Sequence, residues 1–258
     1  MKRRDFLYLR ILNIFAFVSM VTMNILSELL PINGVTSAEV SDRYASLFTP
    51  AGITFSIWAV IYVALAYFTV WQAVKASDEV VDQIGLSFTL SCALNIGWLI
   101  LWHYNMIFLA TIAILLLMLV LYSIKDSVSD SNWLVRASFG TYLAWITVAS
   151  IASLFIVAGV VFKDFAYGTL AQILVWAAIA VILYLTYMRL RNSKDYAYAL
   201  TMIWAIGGIG YERSTSVVGM GFNHILLGAI ISVVLIVIMI ELTISGTIKK
   251  APVAYGAS

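Results

Sequence analysis

Charge is what this sequence lacks. Fifteen Lys and Arg and thirteen Asp and Glu make up 11% of its 258 residues, against roughly a quarter in soluble globular domains. So few charges cannot coat a water-facing surface, and a water-soluble fold is excluded. The formal net charge of +2 is too small and too scattered to form the basic face that nucleic-acid binding needs, so nucleic acid is not an expected partner. Cysteine is nearly absent: with Cys92 alone, no intramolecular disulfide or thiolate metal cluster can form, and its place inside an apolar run reads as packing. Histidine is limited to His103 and His224, and no His pair or His–carboxylate cluster has metal-ligand spacing. No nucleophile–base pair is visible, so no catalytic residue is assigned, no metal is expected and no cofactor is required. Also missing are the short stretches of alternating polarity that a spanning β-barrel would show.

What is present is apolar length. Hydrophobic residues make up 63% of the chain and the mean hydropathy is +0.99, with unbroken runs such as 106–122 and 225–240. A bilayer core about 30 Å thick takes about 20 apolar residues per helix. The fold class that follows is all-α, a polytopic transmembrane helical bundle of about eight spans, near 8–30, 51–74, 86–103, 106–124, 138–160, 169–189, 196–212 and 222–244. The basic start, Lys2, Arg3 and Arg4, suits a signal peptide, but the apolar stretch after it is too long and lacks a small-x-small cleavage site; we read it as a retained first span. The seventh segment is the weakest, short and carrying Gly207, Gly208 and Gly210, which suits a re-entrant or broken span.

Basic residues in loops test the count, because they gather on the cytoplasmic side. With the N-terminus inside, that side holds Lys2, Arg3, Arg4, Arg10, Lys75, Lys125, Arg136, Arg189, Arg191, Lys194, Lys249 and Lys250, and the other only Arg43, Lys163 and Arg213. The asymmetry supports an even number of spans with both termini in the cytoplasm, in a cell membrane. Most loops are short. The longest, residues 31–50, carries an Asn33-Gly34 turn signal and reads either as a lid over an outward cavity or as a disordered surface loop.

Polar and aromatic residues inside spans point to cavities or to the bundle interior. On the second span Thr54, Phe55, Trp58 and Tyr62 share one face by their three- and four-residue spacing. Asn95, Trp98 and Trp102 form a stripe on the third, and Tyr142, Trp145, Ala149 and Ser153 one on the fifth. Interhelical packing explains such stripes as readily as a ligand does. Trp58, Trp98 and Trp145 are the better cavity candidates, whereas Trp71, Trp102 and Trp133 read as interface anchors. Glu212, Arg213, Asn223 and His224 read as an outer loop with a solvated ion pair, and His103 as interfacial.

The run Phe48-Thr49-Pro50-Ala51-Gly52-Ile53-Thr54-Phe55-Ser56-Ile57-Trp58-Ala59-Val60-Ile61-Tyr62 resembles the signature of the TspO/MBR family, the tryptophan-rich sensory or translocator proteins. Leu94-Asn95-Ile96-Gly97-Trp98 and Tyr142-Leu143-Ala144-Trp145-Ile146-Thr147 resemble two further blocks of that family, in the same order. The resemblance covers roughly residues 8–158, the five-helix length of an ordinary member, and the chain looks like an extended branch of about 250 residues. It implies a TspO-like unit over 1–160 and three added helices with a short tail over 161–258. It also implies a cavity beneath the first loop, with Pro50, Phe55, Trp58, Tyr62, Asn95, Trp98, Tyr142, Trp145 and Ser153 as ligand-binding residues. Departures from the family pattern include Ala51 and Ile57 in the signature, Ile100 after the third-span Trp, and Ser153 where an Asn is usual. The charge-free stretch 155–162 lacks the basic end of the family's proposed sterol motif.

The resemblance implies an integral membrane protein that binds a tetrapyrrole, porphyrin or haem, or another apolar or amphipathic small molecule, for sensing, sequestration or transport. A proton-coupled secondary transporter using Glu212 or His224 is the alternative, and a porphyrin-modifying enzyme the third reading. The lipid bilayer is the evident partner, and small residues such as Ala149 and Ser153 would suit a homodimer or packing within one bundle.

Overall fold

Inside a bilayer every backbone N–H and C=O has to be satisfied within the protein, which leaves helices as the economical solution for long apolar segments. The computed structural model describes residues 3–30, 32–44, 46–128, 131–162, 164–215 and 223–248. Lys2, Lys163, Lys249 and Lys250 of the charge argument lie outside these residues, as do the side chains of Arg3, Arg4 and Asn223. Among the described residues there are ten α-helices: α1 (Arg3–Leu29), α2 (Ser37–Asp42), α3 (Ile57–Val74), α4 (Asp78–Ile84), α5 (Ser87–His103), α6 (Ile107–Ser127), α7 (Trp133–Val161), α8 (Thr169–Ser193), α9 (Tyr196–Thr215) and α10 (Asn223–Ile244).

Six helical segments are long and apolar enough to cross a membrane, and a seventh if the bent pair α4 and α5 counts as one span. That pair turns by 40° at Gly85, whose φ of 50° suits glycine. The spanning helices turn large apolar side chains outward: Val63 is 73% exposed, Leu119 61%, Ile173 59% and Ile230 53%. Such a belt is untenable in water and natural in lipid. The chain is thus a multi-pass, all-α membrane bundle. The weak seventh segment is one unbroken helix, α9, and is not among the segments long and apolar enough to cross by length and composition.

α7 runs through the centre. Every residue from 138 to 148 is buried, because α7 packs against α3, α6 and α9 at once. Two of its hydroxyls pair within the helix, Thr147 donating to Leu143 O at 2.8 Å and Ser153 to Ala149 O at 2.8 Å, which satisfies their donors inside the core, while Ser138 reaches Ala64 O on α3 at 2.7 Å. α1 packs on α3 and α5, α5 on α6, and α10 on α8 and α9.

Two close approaches fix α9. Gly208 lies against Thr54, where a Cβ would stand 2.7 Å from the Thr54 Cγ2, and its carbonyl accepts from Ala51 N at 3.1 Å. At the other end Asp195 caps α9 by accepting from Tyr198 N at 3.3 Å and pairs with Lys125 Nζ at 2.9 Å, with both side chains under 5% exposed. Lys125, counted above as a loop charge, is therefore buried, and also donates to Arg136 O at 2.6 Å. The sequence reading had no role for Asp195.

Candidate ligand cavity

Pro50 ends the first loop, and residues Gly52–Ser56 form a 3₁₀ turn rather than the start of an α-helix. The tighter turn leads into α3, and the aromatic stripe of that segment meets those of α5 and α7. Trp58 is the hub: its ring centroid lies 5.6 Å from Tyr62, 6.4 Å from Trp98, 6.0 Å from Tyr142 and 6.4 Å from Trp145. Phe55 meets Trp145 edge-on at 5.6 Å, and Trp98 stacks on Trp102 at 6.1 Å. Offset and edge-to-face pairs of this kind are each worth about 0.5–1.5 kcal/mol beyond the area they bury, so the wall is rigid.

This wall bounds a cavity of about 500 Å³, lined among others by Asn24, Glu28, Phe55, Trp58, Tyr62, Trp98 and Trp102. A smaller space of about 50 Å³ adjoins it across Phe55, Trp98 and Trp102 and reaches Pro50, Trp145 and Ser153. Beneath runs a buried polar chain. Asn24 Nδ2 donates to Asn95 Oδ1 at 2.8 Å, and Asn95 Nδ2 donates to the Tyr142 hydroxyl at 3.1 Å. Asn95 and Tyr142 are wholly buried, and the chain ties α1, α5 and α7 together.

The first loop covers this end of the bundle. Thr36 caps α2 and forms a reciprocal box with Glu39, while Val40, Leu47 and Phe48 are fully buried. Trp102 Nε1 donates to Ser37 O at 3.2 Å, and Asn33 Nδ2 to His103 O at 3.1 Å. Of the two readings of the loop, the folded cover is the one observed.

The chain matches the TSPO-like protein family over residues 10–242. It belongs to that family. Comparison with curated proteins and with solved structures gives no match. The TSPO-like match runs well past residue 158, where the sequence resemblance stopped, and takes in α8, α9 and α10. Among the described residues no group of three or more His, Cys, Asp or Glu stands together to hold a metal ion.

In this TSPO-like chain seven of the nine sequence-derived residues, Pro50, Phe55, Trp58, Tyr62, Trp98, Trp145 and Ser153, line one or other of the two spaces. Asn95 and Tyr142 line neither and stand behind the wall in the polar chain. The Ser153 hydroxyl is spent on its own helix.

Three expectations are corrected. Trp102 is 6% exposed and part of the cavity wall rather than an interface anchor, whereas Trp133, 66% exposed, remains suited to that role. His103 is fully buried, its Nδ1 facing Leu99 O at 2.7 Å, because the loop folds over it. Glu212 and Arg213 belong to α9, and Arg213 is only 4% exposed, so theirs is not a solvated loop pair. The sequence reading missed Asn24 and Glu28 on α1. A lone Asn inside an apolar run is itself a signal of an interior-facing position.

Proposed function

We propose that the chain binds a flat, amphipathic small molecule, such as a tetrapyrrole, between α1, α3 and α5 under the first loop, and serves to sense, sequester or pass it across the membrane. The observation that carries this reading is the cavity of about 500 Å³ walled by Phe55, Trp58, Tyr62, Trp98 and Trp102. Small-ligand sites run at about 300–1,000 Å³, mostly apolar with a few placed polar groups. Here the rings supply stacking and apolar area, and Asn24, held by Asn95, and Glu28 supply the polar edge.

The same reading takes α9 as a complete span. At about 1.5 Å per residue its 20 residues reach about 30 Å, which makes eight crossings with both termini in the cytoplasm of a cell-membrane protein. The aromatic cavity belongs to the first five crossings, and the last three pack beside them within the same family match. The transporter and enzyme readings gain no specific observation.

Titration of the purified full chain with protoporphyrin IX, followed by tryptophan quenching, tests the function. Saturable binding is expected, weakened at least about tenfold by Trp58→Ala, since a stacked ring pair plus its buried area exceeds 1.4 kcal/mol. No saturable binding, or equal binding by Trp58→Ala and Trp145→Ala, would remove this reading.

A further inference from the structure

A third compartment, of about 150 Å³, adjoins the first two across Phe55 and differs from them in being polar. Loop residues Ser46 and Thr49, Tyr167 between α7 and α8, and Glu212 and Arg213 of α9 line it. Its volume is roughly five times a water molecule's share of liquid. Two buried side-chain atoms on this lining, Thr49 Oγ1 and Arg213 Nε, have no hydrogen-bond partner among the described residues. A third, Trp98 Nε1, stands in the same condition on the adjoining cavity. All three carry a donor hydrogen, and a buried donor left unmatched is costly.

Among the described residues Arg213 has only a loose ion pair to balance its charge. Its side chain is 5% exposed, and Glu212 approaches Nη2 only to 3.6 Å, too long for a direct hydrogen bond. Glu212 is 32% exposed and the other lining carboxylate, Asp42, faces solvent, so water screens both more than it screens the guanidinium.

We propose that this compartment receives the carboxylate of an acidic amphipathic ligand whose apolar body lies in the aromatic cavity. Arg213 is the cation that recognises it, Thr49 adds a second donor, and Glu212 is the internal competitor that the ligand displaces. Guanidinium–carboxylate pairs are the strong, geometrically specific members of their class. The inference rests on the cavity reading above and adds the chemical class of the ligand and a role for α9.

The test compares protoporphyrin IX, which carries two carboxylates, with its dimethyl ester, by tryptophan quenching of the full chain in detergent. The wild-type protein is expected to bind the acid at least about tenfold tighter than the ester, the scale of a charge-assisted hydrogen bond. In Arg213→Gln the acid falls to the level of the ester and the ester is unchanged. In Glu212→Gln the acid binds severalfold tighter because its competitor is gone, whereas an ion pair that only holds α9 together would give weaker binding of both forms. Thr49→Val, which leaves Arg213 in place, reduces the preference for the acid and decides the matter together with the wild-type comparison should Arg213→Gln not fold. Equal affinity of the wild-type protein for acid and ester, or a preference that survives Arg213→Gln, overturns the carboxylate site and leaves the aromatic cavity standing. No saturable binding of either form removes both.

Discussion

Gly207 and Gly208 are neighbours on α9 with opposite tolerances. A Cβ on Gly207 meets nothing within 4 Å, whereas one on Gly208 would run into the side chain of Thr54, which is itself 1% exposed and cannot swing clear. Gly208→Ala is therefore expected to destabilise the protein by about 1–3 kcal/mol, the usual cost of overpacking. Gly207→Ala should be neutral or stabilising by up to about 1 kcal/mol, from helix propensity. Thermal unfolding of the two variants in detergent checks the pair; equal melting temperatures would mean that α9 does not rest on the turn before α3. Three glycines in the seventh segment suggested a break, yet two of them make close contacts in an unbroken helix, Gly208 with Thr54 and Gly210 with Ala229. Composition alone does not separate the two, because what a glycine is for depends on a residue, here Thr54, more than 150 positions away. The cavity wall was easier to read. Trp58, Trp98 and Trp145 each had a polar or aromatic neighbour one turn away on the same helix, a signal carried by spacing. Asn24 also had polar neighbours one turn on, Ser27 and Glu28, but the partner that shows it faces the interior, Asn95, is 71 positions distant.

At the scale of elements, α2 is six residues long, too short to stand by propensity, and depends on its cap and on what it covers. Thr36 N donates to Glu39 Oε2 at 2.7 Å, Thr36 Oγ1 donates to the same oxygen at 3.1 Å, and Glu39 N donates back to Thr36 Oγ1 at 3.3 Å. The backbone hydrogen bond from Thr36, then the hydroxyl, hold the Glu39 carboxyl below its ordinary value of 4.5. A depressed carboxyl contributes stability that is complete above its ordinary value and is lost as the pH falls through the depressed one. The cover over the cavity should accordingly be intact at neutral pH and loosen only in acid. Thr36→Ala should loosen it at every pH, by about 1 kcal/mol, the typical worth of an N-cap. Amide hydrogen exchange over residues 37–42 reads this directly: faster exchange in Thr36→Ala, and acceleration in acid in the parent protein beyond the intrinsic pH effect. Unchanged exchange in the variant would show that burial of Val40 alone, and not the cap, orders the segment. Loop 31–50 was legible as a turn and little more, because its order comes from Trp102, Asn105 and His103, which receive it from α5 and the turn after it.

For the whole molecule, the membrane class, the helical class and the approximate helix boundaries followed from apolar length and charge placement, since a bilayer imposes them on any sequence of this composition. The sides of α9 did not follow. Its ends carry Asp195 and the pair Glu212 and Arg213, and charges at the ends of an apolar segment look like loop charges until packing is known. Burial changes their meaning. Asp195 is fixed by Lys125 from α6 at one end, and Thr54 receives Gly208 nearer the other, so α9 is held along its length between the Lys125 end of α6 and the loop-covered end of α3. We expect a helix so anchored, about 30 Å long, to place its two ends on opposite faces of the bilayer. Cys92 is fully buried and the chain has no other cysteine, which makes cysteine labelling clean once Cys92→Ala has removed it. Asn192, exposed at the end of α8, and Ser214, exposed at the end of α9, then serve as reporters. In intact cells a membrane-impermeant maleimide should label Ser214→Cys, and should reach Asn192→Cys only after permeabilisation. Labelling of both from the same side would make α9 re-entrant and the number of crossings odd, and would separate the basic residues near the C-terminus from the cytoplasmic set to which their charge assigns them.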